Sequence, residues 1–126
     1  MKRILVCDDD HEIVQAICVY LTDAGFEIVQ AYSGKEALQC VLDPDQQIDL
    51  IIMDVMMPVM DGLEATKAIR MLEREDAKKI PIIAMTANAF EEDRKACLDA
   101  GMDEHIGKPI DIPLLKRTIT KAIGDR

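Results

Sequence analysis

Four short segments of this chain each end at a chemically reactive polar residue, and three of the four are uninterrupted apolar runs. The segments are residues 4–7, 50–53, 82–85 and 104–107, and the polar residues that follow them are Asp8, Asp54, Thr86 and Lys108. The apolar runs are too short and too uniform for half-exposed strands, so they predict strands buried within a parallel sheet. Ligands of such sheets bind beyond the carboxyl ends of the strands. We therefore expect the four polar side chains to meet in one small pocket, with the Asp54 carboxylate facing that pocket rather than the interior.

Strand patterns alternate with helical patterns along the chain, which is typical of a parallel sheet covered by helices on both faces. The predicted strands are residues 4–7, 27–32, 50–53, 82–85 and a last one that ends at 108. The five predicted helices run from Asp10 to Gly25, from Ser33 to Pro44, over about 63–73 and 91–100, and from Asp111 onwards. Ser33 and Glu36 have the spacing of a capping box. With 126 residues and no linker, the chain is expected to form a single α/β domain over residues 1–126.

The expected architecture is (βα)5, a doubly wound, flavodoxin-like parallel sheet. Right-handed crossovers and one switch in winding direction favour the strand order 2-1-3-4-5. Neighbouring strands lie ~4.8 Å apart, so Asp54 on the central strand would be one strand from Asp8 and one strand from Thr86. Lys108 would be two strands away, a gap that the long lysine side chain can span.

The chemistry of these side chains indicates phosphoryl transfer. The carboxylates of Asp8, Asp9 and Asp54 would repel one another unless a cation lay among them. A donor set made only of oxygen suits a small, hard ion, so we expect Mg²⁺. Asp54 is then a candidate nucleophile that forms an aspartyl phosphate. Phosphoryl transfer depends on positioning and charge stabilisation, which the Lys108 ammonium and the Thr86 hydroxyl would supply.

The acidic surplus of the chain narrows the range of partners. Its 24 acidic residues against 15 basic ones give a formal net charge of -9, which disfavours direct binding to nucleic acid or to an anionic membrane surface. Proteins or a cation are the expected partners.

The cysteines and the hydropathy of the chain indicate its compartment. The four cysteines lack the CxxC or CxxH spacing of a metal or redox site, so we expect buried thiols in a reducing environment. The apolar run before Asp8 has only four residues, far fewer than a signal peptide needs. No stretch approaches the ~20 apolar residues of a transmembrane helix. These features lead us to expect a soluble, cytoplasmic chain.

Two other classes of protein use a similar architecture or chemistry. A carboxylate-based, Mg²⁺-dependent hydrolase normally needs a second Asp two residues after its nucleophile, where this chain has Met56. A flavin or nucleotide binder would need a glycine- or hydroxyl-rich first loop to hold phosphate, whereas residues 8–10 are all aspartate. Multiple turnover of a phosphoester would favour the first alternative, and flavin or nucleotide binding would favour the second.

Taken together, the motifs of the chain resemble those of the CheY-like receiver domain of two-component response regulators. The resemblance covers nearly all of the chain. Its carriers are Asp8-Asp9, Asp54-Val55-Met56-Met57-Pro58, Met60-Asp61-Gly62, Met85-Thr86-Ala87-Asn88-Ala89 and Lys108-Pro109. The family implies that Asp54 is the phosphoacceptor and that the chain is a signalling phosphoacceptor rather than an enzyme. It also implies Mg²⁺ held by the side chains of Asp9 and Asp54 and the backbone carbonyl of Met56, with Asp8 acting largely through water.

The family also implies roles for residues at the end of the chain. Lys108 would contact the phosphoryl group, and its peptide bond to Pro109 would be cis. Thr86 would move towards the phosphoryl group as a two-state switch, changing the face formed by the fourth predicted helix, the fifth strand and the fifth predicted helix. His105 stands where many receivers have Tyr or Phe, so we expect its coupling to Thr86 to be weak.

The partners implied by the resemblance are a histidine kinase or a histidine phosphotransfer protein. Residues 82–110 are most similar to receivers of hybrid sensor histidine kinases, whereas the first half is similar to receivers that precede a winged-helix DNA-binding domain. A phosphorelay receiver and a transcriptional response regulator without its output domain therefore both remain open. A homodimer through the switch face is a further possibility.

Overall fold

The computed structural model describes residues 2–57, 59–87 and 91–123, and within these ranges the side chains of residues 91–93 are not considered. The motif residues Pro58, Asn88 and Ala89 lie outside the described residues. Five strands are present: β1 (Arg3–Cys7), β2 (Glu27–Ala31), β3 (Leu50–Asp54), β4 (Ile82–Thr86) and β5 (Glu104–Gly107). The helices of the described ranges are α1 (His11–Asp23), α2 (Gly34–Leu42), α3 (Gly62–Arg70), α4 (Glu75–Lys79), α5 (Glu91–Ala100) and α6 (Ile112–Ile123).

The five strands form one parallel sheet in the order β2-β1-β3-β4-β5. This order confirms the flavodoxin-like topology predicted from the alternation of strands and helices. The central strand β3 pairs with β1 on one side and β4 on the other, and every one of its residues is buried. The carboxyl ends of β1, β3, β4 and β5 consequently face the same edge of the sheet.

Two apolar layers cover the sheet because successive side chains of a strand point to opposite faces. In β1, Leu5 and Cys7 join the layer formed with α2, α3, α4 and α5. Ile4 and Val6 join the layer formed with α1 and α6. Among the cysteines, Cys7, Cys18 and Cys97 are buried, Cys40 is half-buried and none of the four forms a disulfide within the described residues.

The segment after α3 differs from the sequence-based expectation of one helix over about 63–73. The helix ends at Arg70, and a separate five-residue helix, α4, follows, so the count of five predicted helices is wrong. Arg74 separates the two helices: its guanidinium donates to the Val41 carbonyl at 2.6 Å and pairs with Asp76. A five-residue helix is too short to give a recognisable apolar period, which is why the sequence pattern did not reveal it.

The ends of the helices follow the capping rules, with one correction. The Asp10 carboxylate accepts from the backbone N–H groups of Glu12 and Ile13, as predicted for an N-cap. Ser33 Oγ accepts from Glu36 N, but the Glu36 carboxylate accepts from Tyr32 N, so the expected reciprocal capping box is incomplete. A complete capping box is found at the start of α3.

The residues described between β3 and α3, 55–57 and 59–61, belong to the β3–α3 loop, at whose end the chain returns to Asp54. Gly62 N donates to the Val55 carbonyl at 3.0 Å. A Cβ atom at Gly62 would collide with the backbone carbonyl of Asp54, so only glycine permits this approach. The capping box of Asp61 and Glu64 then starts α3. The loop is therefore fixed at both ends next to Asp54.

None of the helices in the described part of the chain combines the length and the apolar character needed to cross a bilayer.

Candidate functional site at the carboxyl edge of the sheet

The register of the sheet brings four predicted site residues to nearly the same level. Cys7 of β1 is paired with Met53 of β3, so Asp8 lies beside Asp54. Asp54 is paired with Met85, so Thr86 lies one residue beyond it on the next strand. Thr86 is in turn paired with Gly107, after which the chain continues to Lys108. The convergence predicted from the ends of the apolar runs is thus a direct result of strand register.

The Lys108 ammonium lies between two carboxylates that come from different strands. Its Nζ atom is 2.9 Å from Asp8 Oδ2 and 3.1 Å from Asp54 Oδ1. The lysine side chain spans the two-strand gap as expected from its length. The backbone fixes the base of this side chain, because Lys108 N donates to the Thr86 carbonyl at 2.8 Å. The Lys108–Pro109 peptide bond is cis.

Three carboxylates form a cluster at the same place. Asp8, Asp9 and Asp54 each offer one oxygen atom, and these atoms lie within 4.8 Å of one another. Asp8 is fully buried and Asp9 is exposed. Asp8 Oδ1 accepts from Asp10 N at 3.0 Å, and the buried Asp8 Oδ2 pairs with the Lys108 ammonium at 2.9 Å. An all-oxygen donor set fits a hard divalent cation.

Asp54 is less accessible than an open pocket would leave it. Its side chain is only 3% exposed, and the Lys108 ammonium, whose side chain is 20% exposed, lies 3.1 Å from its Oδ1 atom. The carboxylate faces Lys108 and Asp8 rather than the apolar core.

The electrostatics of the cleft favour a protonated Asp54 more than solvent does. Burial and then the charge of Asp8 raise the pKa of Asp54 from its ordinary value of 3.8 to about 6, although Lys108 acts in the opposite direction. The pKa of Lys108 is raised. Burial alone would lower it, but the hydrogen bonds that Lys108 donates to Asp8 and Asp54 and the negative charges of these carboxylates outweigh burial. Lys108 therefore carries a full positive charge near neutral pH.

The two residues of the predicted switch lie on adjacent strands. Thr86 is buried at the end of β4. His105 on β5 is half-buried, is paired with Ala84 and lines a small cavity of about 20 Å³ beside α5. Because Ala84 and Thr86 share one face of the sheet, His105 lies on that same face. The weak coupling expected between Thr86 and His105 stays a prediction.

Cys7 and Met57 support the site through contacts that were not identified from the sequence. The Cys7 thiol donates to the Ser33 carbonyl at 3.2 Å and lies 3.7 Å from Met57 Sδ, so it joins β1 to the start of α2 and to the β3–α3 loop. Burial, followed by the charges of Asp8 and Asp54, raises the pKa of Cys7 to about 12, which keeps it a neutral thiol. Apolar loop residues such as Met57 carry no periodic signal, so their inward orientation could not be predicted.

The fold and this site define a class of protein. The profile of the response regulator receiver domain matches residues 4–120, and the chain belongs to this family of two-component signalling domains.

Three similar proteins, one compared by sequence and two by structure, support this family assignment. The chain is 38% identical over 125 residues to the hybrid signal transduction histidine kinase I of Dictyostelium discoideum, covering 97% of this chain and 7% of that protein. The Vibrio cholerae chemotaxis protein CheY4 superposes with a TM-score of 0.89 at 34% identity, covering 97% of this chain and 98% of that one. The receiver domain of the Pseudomonas aeruginosa sensor histidine kinase PA1611 superposes with a TM-score of 0.87 at 35% identity, with 98% of both chains covered. That structure has a magnesium ion coordinated in its active site cleft.

The raised pKa of Asp54 makes the stability of the fold depend on pH. Between pH 3.8 and about 6, folded Asp54 keeps a proton that the unfolded chain has released, so the free energy of unfolding falls as the pH rises through this interval. We expect Asp54→Asn to be more stable than the wild type at about pH 7.5, by on the order of 1 kcal/mol. The difference should shrink as the pH falls towards 4, and urea denaturation in EDTA measures it.

The matched control for this experiment is Asp9→Asn, which removes an exposed carboxylate from the same cluster. Its effect should stay within about 0.5 kcal/mol, as for most surface substitutions. An Asp54→Asn variant less stable than the wild type at neutral pH would contradict the account, because the ion pair with Lys108 would then outweigh burial and repulsion.

Proposed function

We propose that this receiver domain accepts a phosphoryl group on Asp54 from a phosphohistidine in a Mg²⁺-dependent reaction and acts in a phosphorelay. The observation that carries the proposal is the Lys108 ammonium between the carboxylates of Asp8 and Asp54, at 2.9 and 3.1 Å. A fixed cation beside a buried carboxylate stabilises the charge that develops during phosphoryl transfer. The whole of residues 1–126 is proposed to serve this one function.

The residues proposed to hold Mg²⁺ are Asp9 and Asp54 through their side chains, Met56 through its backbone carbonyl, and Asp8 largely through water. The three converging carboxylates support this choice. When bound, Mg²⁺ supplies the positive charge that allows an anionic phosphoryl group to approach three carboxylates. Exposed Asp9 provides the side from which the ion can enter.

The side chains have separate roles in the proposed reaction. An ionised Asp54 oxygen forms a bond to phosphorus while the phosphorus–nitrogen bond of the phosphohistidine breaks. The electron pair of that bond leaves with the ring, whose other nitrogen carries a proton, so that neutral imidazole departs. Lys108 exchanges its contact with Asp54 for a phosphoryl oxygen and neutralises part of its charge. The Thr86 hydroxyl is proposed to donate to another phosphoryl oxygen. A movement of Thr86 towards the phosphoryl group would bias the conformation of the face formed by α5, β5 and α6. A partner or a second copy of the chain could bind to that face.

The comparisons favour a relay over a transcriptional role. Both the Dictyostelium relative and the PA1611 structure are named as histidine kinases or their receiver domains, so a histidine kinase or a histidine phosphotransfer protein is the proposed partner. We propose a phosphoacceptor rather than a hydrolase, because the position two residues after Asp54 is Met56 and offers no acid or base. Four cysteines that form no disulfide within the described residues support the reducing cytoplasm as its compartment.

The phosphoacceptor assignment predicts a Mg²⁺-dependent gain of one phosphoryl group. Incubation with acetyl phosphate and Mg²⁺ should produce a singly phosphorylated chain, detected by intact mass. EDTA should abolish the product, and so should Asp54→Asn, because the nucleophile is lost while the neighbouring side chains remain. Phosphorylation of Asp54→Asn to the wild-type extent would refute the assignment.

The metal assignment predicts different effects for two neighbouring carboxylates. Asp9→Ala should weaken Mg²⁺ binding about tenfold or more, since it removes a charged ligand. Asp10→Ala is the matched control, because the Asp10 carboxylate caps α1 and should leave the Mg²⁺ affinity within about twofold while lowering stability by ~1 kcal/mol. Isothermal titration with MgCl₂ in the absence of a phosphodonor measures both. Equal affinities of Asp9→Ala and the wild type would overturn the metal site.

A further inference from the structure

Val59 has an unfavourable backbone conformation and a fully exposed side chain. Its φ is +68°, in the left-handed region that glycine and asparagine adopt far more readily than a β-branched residue. Its relative exposure is 102%, so the isopropyl group gains no burial in return. Folding alone would favour Gly or Asn here, and an outlier of this kind at a functional site indicates a role outside folding.

Val59 lies in the β3–α3 loop, which begins and ends beside the proposed phosphoacceptor Asp54. The loop is fixed at both ends beside Asp54, through the hydrogen bond from Gly62 N to the Val55 carbonyl and the close approach of Gly62 to the Asp54 carbonyl. Met57 of the same loop is buried, whereas Met56 is 73% exposed. Val59 and Met56 are thus two exposed apolar residues of this loop, whereas Met57 joins the core.

The low accessibility of Asp54 indicates which molecule would contact Val59 and Met56. Because the Asp54 side chain is 3% exposed and paired with Lys108, a phosphohistidine has to be inserted deeply before its phosphorus reaches the carboxylate. The protein surface that carries the histidine must then lie over the β3–α3 loop. A small phosphodonor can enter the cleft without touching the outside of the loop.

We propose that Val59, with Met56, is a specificity-determining contact for the protein that donates the phosphoryl group, and that its strained conformation is retained for this contact. The inference rests on the proposed phosphorylation of Asp54 and adds the chemistry of recognition, an apolar patch on the donor beside its phosphohistidine. Burying an exposed isopropyl group against such a patch contributes to association, and it contributes nothing to the reaction with a small donor.

The test compares two phosphodonors on the same set of variants. The protein donor is a purified histidine phosphotransfer protein, phosphorylated on histidine and first shown to phosphorylate the wild-type chain. The small donor is acetyl phosphate. Val59→Asn and Val59→Gly remove the apolar group and tolerate the left-handed backbone, whereas Val59→Leu keeps an apolar side chain. Met71→Asn is the control, because Met71 is 81% exposed but follows the far end of α3.

We expect Val59→Asn and Val59→Gly to slow transfer from the protein donor by about tenfold, the size of a substantial interface contact. Val59→Leu and Met71→Asn should stay within about twofold of the wild type. With acetyl phosphate, all four variants should react within about twofold of the wild-type rate, and Val59→Gly should unfold at a higher urea concentration than Val59→Leu because it relieves strain.

Two results would overturn the inference. Unchanged transfer from the protein donor in Val59→Asn would show that the side chain is not part of the contact. An equal slowing with acetyl phosphate would show that Val59 acts on the geometry of the loop rather than on recognition. Failure of the proposed function is distinguishable from both, since the wild-type chain itself would then gain no phosphoryl group from acetyl phosphate.

Discussion

The contact of one ammonium with two carboxylates is the interaction on which the site depends. Asp8 and Asp54 lie side by side on neighbouring strands, largely out of solvent, and their negative charges would repel each other strongly without a cation. Lys108 provides that cation from two strands away. It only partly offsets burial and repulsion, because the pKa of Asp54 is still raised to about 6. The cleft is therefore suited to take up a divalent ion and an anionic group together.

The parallel sheet produces this arrangement through register, and the loops preserve it. Asp8, Asp54, Thr86 and Lys108 follow strands whose pairing brings their ends to one edge. Gly62 and the capping box at Asp61 bring the chain back to Asp54 after only a short loop. The same loop contains Val59 in a strained conformation, which lowers the stability of the fold beside the reactive carboxylate. Strained backbone conformations are common at functional sites.

The sequence predicted the strand order and the residues that meet at the site, because buried parallel strands are short apolar runs and the reactive residues directly follow them. It did not predict α4, since five residues are too few for an apolar period, nor that the complete capping box would begin at Asp61 rather than at Ser33. Nor did it predict the burial of Asp54 or the left-handed backbone of Val59. Tertiary structure determines both, and no local pattern reports them.

The central claim is that Lys108 acts on the phosphoryl group and is not required to hold the metal. Replacing it by Met keeps most of the hydrophobic stem and removes the charge, so the most direct measurement is the rate of phosphorylation of Lys108→Met by acetyl phosphate, together with its Mg²⁺ affinity. The account predicts that Mg²⁺ binding is retained, because no carboxylate ligand is lost, while phosphorylation slows by about tenfold or more. Phosphorylation at the wild-type rate, or loss of Mg²⁺ binding in a folded variant, would contradict it.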